Sequence, residues 1–200
     1  MAVLTRRQLE DAFFAAVCAC LGVDPEAEES QGRVRISWPV DTKDGQMPGW
    51  ENDQNITFLR ITPWNDPYTR PRETRLKPRP DSMTIGYVDG TVQYTRGHQL
   101  YVICYGPDAA EDADNVRNGL QMDYIMDPLR ELGLYVIVQI EEPTRADELV
   151  NGQWWCRYDL TVRYYEAASR DYDAPIITKI HEAKTEGGIQ FGKIELGPDR

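Results

Sequence analysis

Residues 100–140 decide the fold: LYVICYGPD (100–108), AAEDADNVRNGLQMDYIM (109–126), DPLRELG (127–133) and LYVIVQI (134–140). The segment up to Tyr105 is apolar in both alternating sets, as in a strand buried on both faces, and Gly106-Pro107 end it. In residues 109–126 the apolar side chains recur at helical spacing, while acids, amides and an arginine occupy the other positions. The stretch therefore predicts a strand, an amphipathic helix and a second strand that folds back onto one sheet.

The ends of this helix carry recognisable signals. Asp108 is placed to accept hydrogen bonds from the first-turn amides, and Glu111, three residues later, completes a capping box. Asp127-Pro128 predicts a break, because proline suits a first helical position, and Gly133 then ends a short second turn. Strong β-formers follow in residues 134–140, which we predict as a strand.

The N-terminal half contains a second helix and two strands. Thr5 and Gln8 form a capping-box pair before the apolar stripe of residues 5–21, and Gly22 ends the helix. Residues 24–32 are predicted to form an acidic loop. Residues 33–40 predict a short strand that Pro39 confines to an edge, and residues 56–61 predict another, with a polar loop at 41–55 between them.

Turn signals divide the rest of the chain. Asp89-Gly90 predicts a hairpin between strands 82–88 and 91–96, and Gly97 leads the meander into residues 100–105. Residues 141–152 form a charged loop, and residues 154–166 alternate as a half-buried antiparallel strand. A polar joint at 167–174 and two short strands, 176–182 and 188–196 around Glu186-Gly188, make a hairpin-like C-terminal extension at about 172–200.

Two regions are candidates for a subunit interface, one through Trp155, Arg157 and Arg163 and the other through a basic segment. The polar face of strand 154–166 mixes Trp155 and Tyr165 with Arg157 and Arg163, a composition common at interfaces but also found on ordinary sheet surfaces. Residues 63–80 hold five prolines and predict an extended arm. Three interpretations of its basic residues are open. They belong to a solvated loop, they contact the acidic surface of a neighbouring copy, or, as a weaker third option, they bind DNA. These basic residues are Arg70, Arg72, Arg75, Lys77 and Arg79.

Composition narrows the function classes. A hydrophobic content of 41% supports a real core in one domain spanning residues 1–200. A net charge of −11 disfavours tight nucleic-acid binding through a broad face. There is no bilayer-length apolar run or signal-peptide pattern, which predicts a cytosolic chain.

The sequence offers no catalytic constellation. It has no CxxC pair, Walker A sequence or HExxH motif, so the four cysteines are interpreted as buried small hydrophobes. His98, expected in a turn, and His181, in the C-terminal extension, lie in no metal-spaced or nucleophile motif. The sequence thus predicts no enzyme, no cofactor and no metal site.

Three segments in order resemble tailed-bacteriophage neck proteins of the tail-terminator type. They are YVICYGPDA at 101–109, NVRNGL in the following helix and NGQWWCRYDLTVRY at 151–164, and the resemblance covers about residues 84–167. It implies a small α/β structural protein of the virion, assembled in the host cytoplasm. Such a protein forms a ring, here expected to be a hexamer, that ends the tail tube, joins it to the head–tail connector and lets DNA pass through its lumen.

Two other functions stay open at this point. One is a head–tail stopper or adaptor of the same neck, and the other, from a different class, is a divalent-metal-dependent nuclease. For the fold, we predict α+β: a twisted, mainly antiparallel sheet with helices 5–21 and 109–126 packed on one face.

Overall fold

The structure, a computed structural model, describes residues 3–37, 50–82, 86–150, 152–180 and 194–196. Its α-helices are α1 (Arg6–Cys20), α2 (Ser30–Arg33), α3 (Ala109–Gly119) and α4 (Asp123–Glu131), and a 3-10 helix spans Pro67–Thr69. The main sheet contains β1 (Val34–Ile36), β2 (Ile56–Pro63), β3 (Arg72–Lys77), β4 (Tyr87–Tyr105), β5 (Leu134–Val136), β6 (Thr144–Arg145) and β9 (Arg157–Pro175). Two small ladders pair β7 (Glu148–Val150) with β8 (Gln153–Trp155) and β10 (Ile177–Ile180) with β11 (Ile194–Leu196).

The sheet is built around β4 and β9. These two strands of 19 residues each pair antiparallel along their whole length, from Tyr87 opposite Pro175 to Tyr105 opposite Arg157. The free side of β4 pairs with β2 and β3, and the free side of β9 pairs with β5 and β6. Among the described strands only β1 runs parallel to its neighbour, β2, so the predicted α+β fold with a mainly antiparallel sheet is confirmed.

The core lies between one sheet face and helices α1, α3 and α4. Alternate side chains of β4 and β9 point into it, and Phe13 of α1 packs against Tyr164 of β9 with ring centroids 4.4 Å apart. Each fully buried aliphatic or aromatic side chain here stabilises the fold by about 1.5–3 kcal/mol. The buried set from the sheet includes Leu59, Ile61, Leu100, Val102, Cys104, Leu134, Leu160 and Val162.

Helix α1 follows the sequence prediction closely. The Thr5 hydroxyl accepts the Gln8 N–H, and the Gln8 side chain accepts the Thr5 N–H, so the capping box is complete. Gly22, at φ +68°, lets the chain leave the helix, and Val23 N–H donates to the Cys18 carbonyl. The acidic loop predicted at 24–32 contains the start of the short helix α2.

The long predicted helix 109–126 is wrong in its end point. Helix α3 stops at Gly119, where a Cβ would lie 2.5 Å from the Cys20 Sγ of α1, so glycine permits the close crossing. Pro128 lies inside α4 and does not start a helix. Interior proline costs about 3 kcal/mol, but burial of Ile125, Met126 and Leu129 recovers more than that.

Asp108 occupies the predicted N-cap position, but its side chain makes no capping hydrogen bond, so the predicted capping box with Glu111 is wrong. The Asp108 carboxylate instead binds the Asn55 side chain. Asn55 Nδ2 donates to Asp108 Oδ2 at 2.7 Å, and Asp108 N–H donates to Asn55 Oδ1 at 3.0 Å. This reciprocal pair fastens the start of β2 to the start of α3. It also explains Gly106, at φ +113°, where a Cβ would lie 2.5 Å from Asn55 Oδ1.

The predicted hairpin at Asp89-Gly90 is wrong, because β4 runs straight through it and through Gly97. At both positions glycine lets a neighbouring residue pack closely against the strand. A Cβ on Gly90 would lie 2.6 Å from the ring of Tyr172, the residue opposite it on β9. At Gly97 a Cβ would lie 2.6 Å from the Trp64 carbonyl oxygen, and Trp64 N–H donates to the Gly97 carbonyl.

The C-terminal half contains further differences. The polar joint predicted at 167–174 is the second half of β9, and the strand predicted at 134–140 ends at Val136. The pairing of two short C-terminal strands is confirmed, although the turn at Glu186-Gly188, and His181, lie outside the described residues. In the first half, β1 confirms a short strand within 33–40, whereas Pro39 is not described.

The proline-rich segment 63–80 is extended, as predicted, but it is not separate from the sheet. Its residues Arg72–Lys77 form β3, an edge strand that pairs antiparallel with β4 between Asp89 and Tyr94. Pro71 and Pro78 flank this strand, where proline is compatible with an edge. All six residues of β3 are exposed. The arm is thus part of a three-stranded ribbon, β3-β4-β9.

We expect Gly97→Ala to lower the free energy of unfolding by about 2 kcal/mol, because the new methyl group meets the Trp64 backbone. Gly32→Ala is the matched control, since no atom lies within 4 Å of its added Cβ. Urea denaturation followed by circular dichroism measures both. Equal midpoints for the two variants would refute the close-approach explanation.

The Asn55–Asp108 pair is tested by a double-mutant cycle. Asn55→Ala and Asp108→Ala should each destabilise the fold by about 1 kcal/mol, and the double variant should be more stable than the sum of the single effects predicts. Thermal denaturation of the four proteins gives the coupling energy. A coupling of zero would mean that Asp108 acts independently of Asn55, as in the original capping hypothesis.

Candidate interaction surface

The sheet face opposite the helices is here called the open face. Odd-numbered residues of β4 and β9 point to it, because even-numbered residues of the same strands, such as Leu100, Val102 and Leu160, are buried in the core on the other side. In the described part of the chain, no α-helix covers this face, but the segment from Trp64 through the short 3-10 helix Pro67–Thr69 packs on it around Tyr165. The open face presents aromatic and arginine side chains, including Arg60, Tyr101, Tyr105, Arg157, Arg163 and Tyr165.

An aromatic cluster forms one end of the open face. Trp50 contacts Phe58, Tyr105 and Trp155 with ring centroids 5.1–5.8 Å apart. The rings of Trp50, Phe58 and Tyr105 line a cleft of about 320 Å³ together with Arg60 and Glu148. The geometry gives an apolar, partly exposed surface of the kind that protein partners bury.

The charges beside this cluster are largely compensated within the chain. Arg157 donates to both carboxylate oxygens of Asp159, at 2.7 and 2.9 Å, lies 3.4 Å from Glu148 and stacks on the Tyr105 ring. The Asp159 hydrogen bond is the main reason that the pKa of Arg157 is raised. Arg157 is therefore held in place as part of the surface.

A second aromatic group lies farther along the same face. Tyr165 stacks on Trp64 at 5.7 Å and contacts Tyr68 at 5.2 Å, while its hydroxyl donates to Asp66. The exposed Arg163 lies over the Trp64 ring, 5.2 Å from its centroid. Thus Trp155, Arg157 and Arg163 all belong to one aromatic–arginine surface.

Sequence reasoning missed Trp50, Trp64, Tyr68 and Arg60 as members of this surface. Trp64 and Tyr68 come from the proline-rich segment, which composition alone could not connect to strand β9. A usable signal was the pattern of β2, in which Arg60 interrupts apolar residues and so marks one face as open.

The basic edge, defined as Arg70, Arg72, Arg75, Lys77 and Arg79, divides into two groups. Arg70, Arg72, Arg75 and Lys77 are exposed. Arg72 lies over the Tyr94 ring and Arg75 pairs with Glu73, an exposed pair of little energetic value. Arg79 is different, because it pairs with Asp89 at 3.2 Å and with Asp173 at 3.0 Å and so holds the ribbon together.

A buried charged cluster joins the helix layer to β4 and β9. The Glu166 carboxylate is inaccessible to solvent, accepts the Leu4 N–H at 2.9 Å, and lies 2.8 Å from His98 Nε2 and 3.3 Å from Arg96. Burial alone raises the pKa of Glu166, but the hydrogen bonds from His98 and Leu4 and the charge of Arg96 outweigh it and lower that pKa. His98, expected in a turn, is thus a buried strand residue.

The described residues contain no other arrangement suited to chemistry. No group of three or more histidines, cysteines or acids in them could hold a metal ion. The four cysteines are free thiols. Burial raises the pKa of Cys18 to about 11 and that of Cys20 and Cys104 to about 12, so these thiols are poor nucleophiles at neutral pH.

Comparison with known proteins assigns the chain to a family. The family model described as phage neck terminator protein matches residues 27–191. The comparison with curated proteins gave no match. Among the described helices, none has the length and apolar character needed to cross a membrane.

We expect Glu166→Gln to reduce the free energy of unfolding at pH 7 by about 2 kcal/mol, because the charge-assisted hydrogen bonds are lost. The folded-state pKa of Glu166 is lowered, so its stabilisation is present above the unfolded pKa, near 4.3, and is lost as pH falls through the folded value. Chemical denaturation from pH 3 to pH 7 should show the two proteins converging in acid. Glu131→Gln, on an exposed side chain, is the control, and parallel curves for Glu166→Gln and the parent would contradict this role.

Proposed function

The chain belongs to the phage neck terminator protein family, and from that premise we propose that it forms a homo-oligomeric ring, a hexamer, on the end of the tail tube. As a family member it is a structural component of the virion neck. In the proposed role the ring stops tube growth and joins the tube to the head–tail connector or stopper protein. The ring assembles in the host cytoplasm.

The proposed contact between subunits is based on one observation, the basic edge on an otherwise acidic protein. The chain has a net charge of −11, yet Arg70, Arg72, Arg75 and Lys77 are exposed together at and beside one strand. Opposite charges on separate copies attract, and this steers two subunits into one orientation. Exposed acids on another copy are candidate partners: Glu26, Glu28, Glu29, Glu141 and Glu142.

The open face supports the second part of the proposal, docking to other neck and tail proteins. Its aromatic and arginine side chains are the residue types enriched at interface hot spots. Trp155, Arg157 and Arg163 take this role together with the aromatic groups around Trp50 and Trp64. The acidic remainder of the surface suits a lumen through which DNA moves without binding.

The proposal predicts that Arg72→Glu, Arg75→Glu and Lys77→Glu together leave the monomer folded but disperse the ring. Arg79 is left intact, because its pairs with Asp89 and Asp173 support the fold. Three lost surface pairs at roughly 0.2–1 kcal/mol each weaken each subunit contact roughly 3-fold to 150-fold. Sedimentation of the purified protein, alone and mixed with tail-tube protein, measures the assembly, with the largest effect at low salt.

The matched control reverses three other exposed arginines on helices, Arg6, Arg7 and Arg130. It changes the net charge equally and should leave the ring intact. If the β3 variant assembles as the parent does, the basic edge is a solvated surface. If the parent binds connector but never tube protein, the stopper function replaces the proposed one.

A further inference from the structure

The ribbon β3-β4-β9 lacks a helix layer on the side of the sheet where α1, α3 and α4 pack. Within the described residues, the hydrophobic core of these strands reaches only to Leu100 on β4 and to Tyr164 on β9. Beyond these positions both strands continue, and β3 joins them to complete the ribbon. A half-apolar sheet face is stable when a second layer covers it, so this side of the ribbon is a candidate for a contact.

The pairing register defines which side chains share this side, here called the ribbon face. Directly opposite residues of antiparallel strands place their side chains on the same side of a sheet. The ribbon face consists of three rows, each with one residue from β3, β4 and β9: Leu76, Gly90 and Tyr172; Thr74, Val92 and Arg170; Arg72, Tyr94 and Ala168. The Tyr172 ring against Gly90 and the Arg72 guanidinium over the Tyr94 ring agree with this arrangement.

The ribbon face combines exposed apolar side chains with positive charge. Leu76 is 58% exposed and Tyr172 is 42% exposed. The charged residues of the three rows are Arg72 and Arg170, and in the described part of the chain neither pairs with a carboxylate. The acids beside these rows lie on the other side of the ribbon, each bonded to another side chain: Glu73, Asp89, Asp171 and Asp173. A complementary partner therefore carries an exposed apolar group and an unpaired acid.

The dimensions of the ribbon face suit one helix. Three strands about 4.8 Å apart span about 10 Å, which is close to the diameter of an α-helix. Along the strands the rows lie about 6.8 Å apart, because every second side chain points to the same face. Helical residues four positions apart are separated by about 6 Å along the axis, so one outer stripe of a helix can follow successive rows.

Helix α4 has an outer stripe of this kind. Its buried side chains occupy one side of the helix: Ile125, Met126 and Leu129. Tyr124, Pro128 and Glu131 are exposed on the opposite side, at positions i, i+4 and i+7. Tyr124 is 72% exposed, and within the described residues Glu131 forms no ion pair. The outer side of α4 thus offers the aromatic ring and the unpaired acid that complement the ribbon face.

A second exposed apolar group fits the ribbon face less well. Leu149 and Trp154 lie opposite each other on the β7–β8 hairpin and are 57% and 70% exposed. The adjacent acid Glu148, however, accepts from the Tyr105 hydroxyl and pairs with Arg157. This hairpin therefore has no free negative charge beside its apolar pair to meet the arginines of the ribbon face.

We propose that the outer side of α4 in one copy packs on the ribbon face of the next copy and supplies its missing helix layer. This inference rests on the proposed ring. Tyr124 then lies on the uncharged row that contains Leu76, and Glu131, about 10.5 Å farther along the helix, lies between the two rows that carry arginine. Arg130, about 120° around the helix from Tyr124, lies outside the contact. Because the two surfaces differ, the contact is head-to-tail, the type that can close a ring.

Cross-linking of introduced cysteines tests this contact in the full chain assembled with tail-tube protein. Leu76→Cys and Tyr124→Cys in one chain should join successive subunits through a short bismaleimide and give a ladder of covalent multimers on a denaturing gel. Each single variant should give no ladder, because only one of the two surfaces then carries a new thiol. The parent measures the background from the native cysteines.

The matched control for the cross-link is Leu76→Cys with Asp114→Cys, which places the second thiol on an exposed residue of α3. A ladder from this control instead of the α4 pair would overturn the assignment. A ring that forms without the ladder overturns the contact but leaves the proposed function standing. Failure to form any ring with tube protein overturns both.

Charge reversal gives an independent test by sedimentation. Arg72→Glu with Arg170→Glu should weaken assembly roughly 10-fold, because two attractions to Glu131 become repulsions, and both residues are exposed, so the monomer stays folded by circular dichroism. Adding Glu131→Arg should restore most of the loss. Asp114→Arg is the matched control, since it makes the same change of charge on α3. Parent-like assembly of the double variant, or equal rescue by Asp114→Arg, would overturn the proposed contact.

Discussion

The unbroken register between β4 and β9 is the constraint on which the other elements depend. Because the two strands pair without a bulge from Tyr87 to Tyr105, the even residues of both strands lie on the side of the sheet where the helices pack, and the odd residues lie on the open side. The same register fixes the backbone directions, so β2 and β3 join one edge and β5 and β6 join the other. A slip of one residue would exchange the core with the aromatic–arginine surface.

The sequence predicted those parts of the fold that local chemistry decides. Thr5 and Gln8 cap α1 because their partners lie within three residues, and the alternation after Tyr158 requires only one buried face. Prediction from the sequence failed where a residue far away along the chain determines the local structure. Gly90 and Gly97 look like turn residues until Tyr172 and Trp64 are known to lie against them, and Asp108 looks like a cap until Asn55 occupies its carboxylate. Nothing local to these positions carries that information.

The interaction surface was predictable to a similar degree. Composition identified the basic residues of the segment 63–80, and alternation identified Arg157 and Arg163. It could not separate Arg79, which Asp89 and Asp173 hold within the ribbon, from Arg72, Arg75 and Lys77, which remain exposed. That separation depends on β3 returning alongside β4, a contact between segments far apart in sequence. Charge patterns in the sequence therefore locate a candidate interface. The strand pairing in the structure is needed to show which of these charges already form ion pairs within the chain.

Weak contacts are sufficient for a ring. Each exposed pair contributes little, so two free copies at low concentration gain little from meeting. A closed ring of n subunits, however, has n contacts where an open chain has n − 1, and the last contact forms at high effective concentration. The acidic surface resists unspecific association, and in the proposed ring the basic edge favours one relative orientation of two subunits. For the proposed ring, a template such as a tube end that holds several copies together therefore favours closure.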